Sequence, residues 1–81
     1  YKRSPKAFLK NLSPQEQQEF LEELRLEYRV IILSYFQDDR DLNQRIDNFV
    51  NAAFFADVPV SQIVEIHMEL MDEFAKQLKL E

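Results

Sequence analysis

The sequence predicts an all-α fold, a bundle of three long helices preceded by a short helix at the N-terminus. Apolar residues recur at steps of three and four along most of the chain, which is the spacing of one helix face. The 81 residues include no glycine, whereas tight hairpins between strands usually need a residue that tolerates positive φ. With 46% hydrophobic residues, a chain of this size is able to form one packed domain around a modest core.

The composition also excludes several classes of protein. The chain has no cysteine, which excludes a disulfide scaffold and a thiolate metal site and fits a reducing compartment. No apolar run approaches the length of about 20 residues that a membrane-spanning helix needs. Because no targeting signal is visible either, we expect a cytoplasmic protein.

Charge is distributed unevenly along the chain. The formal net charge is −5, yet the first twelve residues carry four basic side chains and no acidic one. Without interleaved aromatic residues, this basic arm fits a solvated linker or tether better than a nucleic-acid contact. We therefore expect residues 1–13 to form a linker with a short helix capped by Ser4, and residues 14–81 to form the helical domain.

The first long helix has a clear start signal. Ser13 is followed by Pro14 and, three residues after the serine, by Glu16, which is the pattern of a capping box. We expect this helix to run from Pro14 to about Phe36. It carries two apolar stripes on roughly opposite sides, so its second half must be packed against other parts of the protein on every side. The stripes are Phe20, Leu24, Tyr28, Ile31 and Tyr35, and Leu26, Val30 and Leu33.

Two further helices follow after short breaks. The polar run 37–41 predicts a turn, and Asp41 followed by Gln44 repeats the capping pattern. The second helix should end near Ala56, because Pro59 disfavours helical geometry at the residue before it and suits the first turn of a third helix. The third helix is expected to pack through Val60, Ile63, Val64, His67, Leu70, Met71, Phe74 and Leu78.

The apolar surface exceeds what three helices can bury. The second stripe of the first helix and the adjacent Phe54 and Phe55 need something further to pack against, either another helix, a second subunit or both. We expect an incomplete four-helix bundle that dimerises. The residues expected to be buried within one chain are Phe20, Leu24, Ile31, Phe49, Ala53, Ile63, Leu70 and Phe74.

The sequence offers little chemistry for catalysis or for cofactors. His67 is the only histidine, and its neighbours three and four residues away are all apolar, so a helical metal site lacks its second ligand. We expect His67 to be a core or interface residue hydrogen-bonded to backbone or to a carboxylate. An acidic ridge of Glu65, Glu69, Asp72 and Glu73 is either a solvated face or a docking surface for a basic partner, with Met68 beside it.

Several strings resemble the C-terminal domain of KaiA-type circadian clock proteins. Residues 48–61 read NFVNAAFFADVPVS, residues 64–74 read VEIHMELMDEF, and EYR at 27–29 and ILSYF at 32–36 lie upstream. The resemblance covers Leu21 to Glu81, and the first twenty residues resemble the preceding linker. It implies a helical bundle that forms homodimers and binds the C-terminal tail of the kinase KaiC, thereby promoting KaiC autophosphorylation. KaiB counteracts this activation.

The resemblance also assigns residues. It makes Glu65, Met68, Glu69 and Asp72 a candidate surface for the KaiC tail. It assigns a role in packing within the dimer or the bundle to Leu26, Val30, Leu33, Phe54, Phe55 and His67. It further implies one more long helix beyond Glu81, which contributes to the bundle and to the dimer.

Two alternatives remain at this point. The region from Pro59 to His67 also resembles the N-terminal domain of RsbU-type phosphatases, a dimeric helical fold that receives an activator. The strings at 54–57 and 68–74 favour the KaiA type. The second alternative is a structural helical dimerisation fragment with no affinity for a kinase tail.

Overall fold

The computed structural model describes residues 8–77, and every regular element in that range is helical. A 3₁₀ turn, Leu9–Asn11, precedes α1 (Pro14–Phe36), α2 (Leu42–Phe55) and α3 (Val60–Gln77). Two short connections reverse the chain, so that α1 contacts both other helices. The all-α class and the three long helices are confirmed.

The capping box at the start of α1 forms as predicted. The Glu16 N–H donates to Ser13 Oγ at 3.1 Å, and the Ser13 N–H donates to Glu16 Oε1 at 2.9 Å. These bonds satisfy two backbone donors that would otherwise lack a partner. Because the Ser13 N–H favours the charged carboxylate, the pKa of Glu16 lies below its ordinary value.

The predicted cap of α2 is wrong, and Asp39 organises the turn instead. Asp41 has φ −88° and ψ 6°, outside the extended region from which an N-cap side chain reaches back to the helix, and makes no side-chain cap. Asp39 Oδ1 accepts the Asp41 N–H at 2.9 Å. Its Oδ2 accepts from the buried Ser34 hydroxyl at 3.2 Å and from Arg45 Nε at 3.3 Å.

These contacts make the stability of the turn depend on pH. The Asp41 N–H, helped by Ser34 and Arg45, holds the pKa of Asp39 below its ordinary value of 3.8. A carboxyl with a lowered folded-state pKa stabilises the fold above its unfolded pKa and loses that contribution as pH falls through the folded pKa. We expect Asp39→Asn to lower the melting temperature at pH 7, with the difference from wild type shrinking below about pH 4. Asp47→Asn, on the exposed side of α2, should leave the melting temperature at pH 7 unchanged.

Two aspartates take the positive-φ positions that glycine usually occupies at helix ends. Asp38 has φ 55° and Asp57 has φ 52°. After α1, the Asp39 N–H donates to the Ser34 carbonyl at 3.0 Å and the Asp38 N–H to the Tyr35 carbonyl at 3.4 Å, which is a Schellman motif. The same pattern follows α2 around Asp57. The lack of glycine therefore favoured helices without excluding positive φ.

A glycine at position 38 should stabilise the protein. Aspartate tolerates the left-handed region at a steric cost that glycine avoids. We expect Asp38→Gly to raise the free energy of unfolding by about 0.5–1 kcal/mol, measured by urea denaturation. Asp47→Gly, within α2, should lower it by a similar amount, because glycine destabilises a helix interior. A loss of stability in Asp38→Gly would contradict this interpretation.

The core lies where the three helices meet. It consists of Leu24 from α1, Phe49 from α2, and Ile66 and Leu70 from α3. Leu24, Phe49 and Leu70 are buried as predicted, whereas the other five residues expected to be buried are only partly so, because three helices leave the outer edge of the core uncovered. Those five are Phe20, Ile31, Ala53, Ile63 and Phe74.

The predicted faces of α3 and of the end of α1 need correction. Ile66 is buried at 4% exposure, while Val60, Val64, His67 and Met71 are exposed. Two apolar rows run side by side on α3, and packing selects the row that buries an isoleucine over the one that buries a histidine. On α1, the side chains packed on the core end at Ile32, so Tyr35 is exposed. Leu78 lies outside the described residues.

The N-terminal arm contacts the bundle through Leu9. This side chain is buried, and the Leu9 N–H donates to the Ala56 carbonyl at 2.7 Å. Phe8 and Leu12 are half-buried, so the expected apolar side of the arm rests on the body. The described part forms a 3₁₀ turn, and Ser4, the predicted cap, lies outside the described residues.

Candidate partner-binding surface

One face of α3 carries the residues predicted to meet a partner. We call Glu65, Met68, Glu69 and Asp72 the α3 ridge. Their spacing of three and four residues places them along one side of the helix, and all four are exposed. Met68 is 63% exposed, between carboxylates. The ridge therefore offers an apolar contact with acidic groups around it.

Two arginines of α1 bind carboxylates of α3. Arg25 Nη1 lies 2.8 Å from Glu69 Oε2, and Arg29 pairs with Glu73. The Arg29 guanidinium also lies 5.8 Å from the centroid of the Phe74 ring, which adds a cation–π contact. Because both pairs advance by four residues along each helix, α1 and α3 run in the same direction.

A hydrogen bond between Tyr28 and His67 lies between these helices as well. The Tyr28 hydroxyl is 2.7 Å from His67 Nδ1, and the Tyr28 ring makes an edge-on contact with Phe49, with centroids 5.5 Å apart. His67 is thus exposed and bonded to a phenol, whereas we expected a backbone group or a carboxylate. We call the Arg25–Glu69, Tyr28–His67 and Arg29–Glu73 contacts the α1–α3 clasp.

The arginines of the clasp were missed from sequence. The four-residue spacing of Arg25 and Arg29 matches that of Glu69 and Glu73, which was the available signal. Such a match does not say which helix faces which, because many registers between two helices satisfy it. The packing of the whole core, to which α3 contributes Ile66 and Leu70, selects the register that joins them.

A groove with both polar and apolar walls runs beside the ridge between the first half of α1 and α3. It has a volume of about 350 Å³, and its walls combine Arg25 and several amide and carboxylate side chains with the apolar residues Pro14, Leu21 and Ile66. The three carboxylates on its walls belong to Glu22, Glu65 and Glu69. Farther along α3, Asp72 Oδ2 lies 3.1 Å from Lys76 Nζ. Arg25 is the cationic side chain that faces these carboxylates in the groove.

The residues predicted to pack against another helix or subunit lie mostly at the surface. Leu26, Val30 and Leu33 are exposed along α1, and Phe54 is exposed on α2 with its ring against the half-buried Phe55, centroids 5.7 Å apart. An apolar groove of about 530 Å³ lies between the last turns of α1 and α3. Leu33 belongs both to the α1 row and to this groove, so exposed apolar surface, which is typical of interaction sites, extends from one to the other.

Residues 8–77 show neither a metal site nor a membrane helix. Within that range no group of three or more His, Cys, Asp or Glu side chains is arranged to hold a metal ion. None of the helices there combines the length and apolar character required to cross a membrane.

A profile of the KaiA C-terminal domain matches residues 1–81. The chain belongs to the KaiA C-terminal domain family. It is 63% identical over 81 residues to the circadian clock oscillator protein KaiA of Synechocystis, and 60% identical to that of Synechococcus elongatus. The match covers 100% of this chain but 27% and 28% of those KaiA proteins, so the chain spans just over a quarter of their length.

The structural comparison agrees with the family. The crystal structure of the C-terminal domain of Thermosynechococcus elongatus KaiA superposes with a TM-score of 0.77 at 55% identity, covering 96% of this chain and 74% of that domain. The shorter KaiA of Nostoc is 56% identical over 66 residues, which cover 82% of this chain and 65% of that protein. The KaiA-like fold of this chain is thus supported by sequence and by structure.

Proposed function

We propose that this KaiA-family domain is a non-enzymatic clock regulator that binds the C-terminal tail of the kinase KaiC and stimulates KaiC autophosphorylation. The observation that supports it most is the α3 ridge, which places an exposed methionine among carboxylates on a helix of a KaiA-family fold. Met side chains adapt to varied apolar partners, while surrounding charges set the orientation of a bound peptide. The ridge is the surface on which we place the tail.

The same proposal includes a homodimer and a larger clock complex. The apolar surface along Leu26, Val30 and Leu33, with Phe54 and Phe55, supports packing against a second copy or a further helix. KaiB is the partner that would counteract the activation. The cytoplasm is the proposed location.

Calorimetric titration with a synthetic KaiC C-terminal tail peptide tests the proposal. We would titrate this chain, a version extended through the final helix that the family resemblance implies, and the full-length protein. Heat of binding in the longer forms supports tail recognition, and the shorter form then tells whether the surface needs that helix. A folded dimer that gives no heat and no competition would instead favour a structural dimerisation domain.

Charge reversal then assigns the surface. The proposal pairs the carboxylates of the ridge with basic side chains of the tail, so we expect Glu65→Lys combined with Asp72→Lys to weaken tail binding about tenfold or more. Glu23→Lys combined with Asp47→Lys makes the same change in net charge on exposed positions of α1 and α2 and should have a small effect. Equal losses in both double variants would show that the ridge is not the docking surface.

A further inference from the structure

The partner surface and the α1–α3 clasp share a carboxylate. Glu69 belongs to the α3 ridge, and its Oε2 is 2.8 Å from Arg25 Nη1. Glu73, one turn further along α3, pairs with Arg29. Two of the carboxylates on this side of α3 are therefore already bound by cations of the same chain.

We propose that Arg25 and Arg29 are internal competitors that mask Glu69 and Glu73, so that a cationic partner gains these carboxylates only by displacing the arginines. This inference rests on the proposed function for the identity of the natural partner and adds the regulation of that site. It makes the clasp an autoinhibitory contact within one domain.

The exposure of the Arg25–Glu69 pair permits such an exchange, whereas the Glu73 oxygen that faces Arg29 is buried. The Arg25 and Glu69 side chains are 30% and 48% exposed, so an incoming ammonium or guanidinium group can reach the carboxylate from solvent. Partly exposed ion pairs contribute little net free energy, since water and salt screen them. A partner that supplies its own cation therefore meets a small barrier to replacing Arg25.

The two arginines differ in how easily they are displaced. Arg29 is held by Glu73 and by the face of the Phe74 ring at 5.8 Å, whereas the side-chain contact described for Arg25 is with Glu69 alone. Arg25 also lines the groove beside Glu22 and Glu65. After it leaves Glu69, the Arg25 side chain still has Glu22 and Glu65 nearby in that groove, which lowers the free-energy cost of its displacement. Exchange should therefore begin at Arg25.

The test is the affinity of the full-length protein for two probes, the KaiC tail peptide and a capped tetralysine. We expect Arg25→Gln combined with Arg29→Gln to bind both probes about threefold to tenfold more tightly than wild type. Lys10→Gln combined with Arg40→Gln removes the same two charges elsewhere and controls for long-range electrostatics. If the double variant at the clasp loses its fold, Arg25→Gln alone is used, and we expect a smaller increase in affinity for both probes.

A second pair of substitutions separates unmasking from loosening of α3. Glu69→Gln combined with Glu73→Gln breaks the same ion pairs but removes the carboxylates, so it should weaken binding of both probes. The arginine double variant could bind tetralysine more tightly than wild type while wild type does not bind the tail peptide at all. That result would support masking and refute the proposed function. Affinities of the arginine variant equal to or weaker than those of the charge control would overturn masking, as would a gain in the glutamate variant.

Discussion

Replacing Phe49 with alanine is expected to lower the free energy of unfolding by about 3–5 kcal/mol. The Phe49 side chain is 7% exposed, and its ring lies edge-on to Tyr28 in the centre of the core. Truncation removes the apolar contacts of the ring and leaves a cavity that three helices cannot fully close. For a small domain, this is a large part of the total stability. Urea denaturation monitored by circular dichroism measures the loss.

Phe36 provides the matched control. It is 78% exposed at the end of α1, so Phe36→Ala should change the free energy of unfolding of the single chain by no more than about 0.5 kcal/mol. A change that small in Phe49→Ala would contradict the assignment of α2's inner face. Phe74, which is half-buried, should fall between the two.

The second large effect concerns the rotation of α3. Leu70 is 0% exposed, and we expect Leu70→Ala to lower the free energy of unfolding by about 2–5 kcal/mol. This substitution tests whether the side of α3 that carries Leu70 is the side that packs on Leu24 and Phe49. Thermal and urea denaturation of the same variant should agree if unfolding is two-state.

Met68 lies two residues away and faces solvent. Met68→Ala should leave the stability of the chain within about 0.5 kcal/mol of wild type while weakening tail binding. Comparable losses of stability in both variants would mean that α3 is rotated from the orientation described here. The pair of variants therefore checks the core and the ridge on one helix.

Local signals in the sequence were sufficient to predict the extents of the three helices and the cap of α1. The capping box at Ser13 and Glu16 and the break before Pro59 act within a few residues, so they can be recognised without knowing the tertiary structure. The predicted cap of α2 was wrong because the Asp39 carboxylate binds the Asp41 N–H and α2 begins without a side-chain cap. The position of that carboxylate depends on Ser34 and Arg45, which only the folded turn brings close.

The burial pattern of α3 and the clasp depended on packing between helices. Ile66 and His67 lie on adjacent apolar rows, and periodicity alone gives no reason to prefer one row. Burial of Ile66 selects the rotation of α3, whereas the register that joins Arg25 to Glu69 also depends on the position of α3 along α1. The ridge residues were named through the family resemblance, and their joint exposure on one face agrees with that choice without testing which of them contacts a partner.

The most direct measurement is KaiC autophosphorylation in the presence of the full-length protein. We expect the phosphorylated fraction of KaiC to rise with wild type and with the control variant Glu23→Lys, Asp47→Lys. The rise should be lost or strongly reduced with Glu65→Lys, Asp72→Lys. No rise with folded wild-type protein, or an undiminished rise with the ridge variant, would contradict activation of KaiC through the α3 ridge.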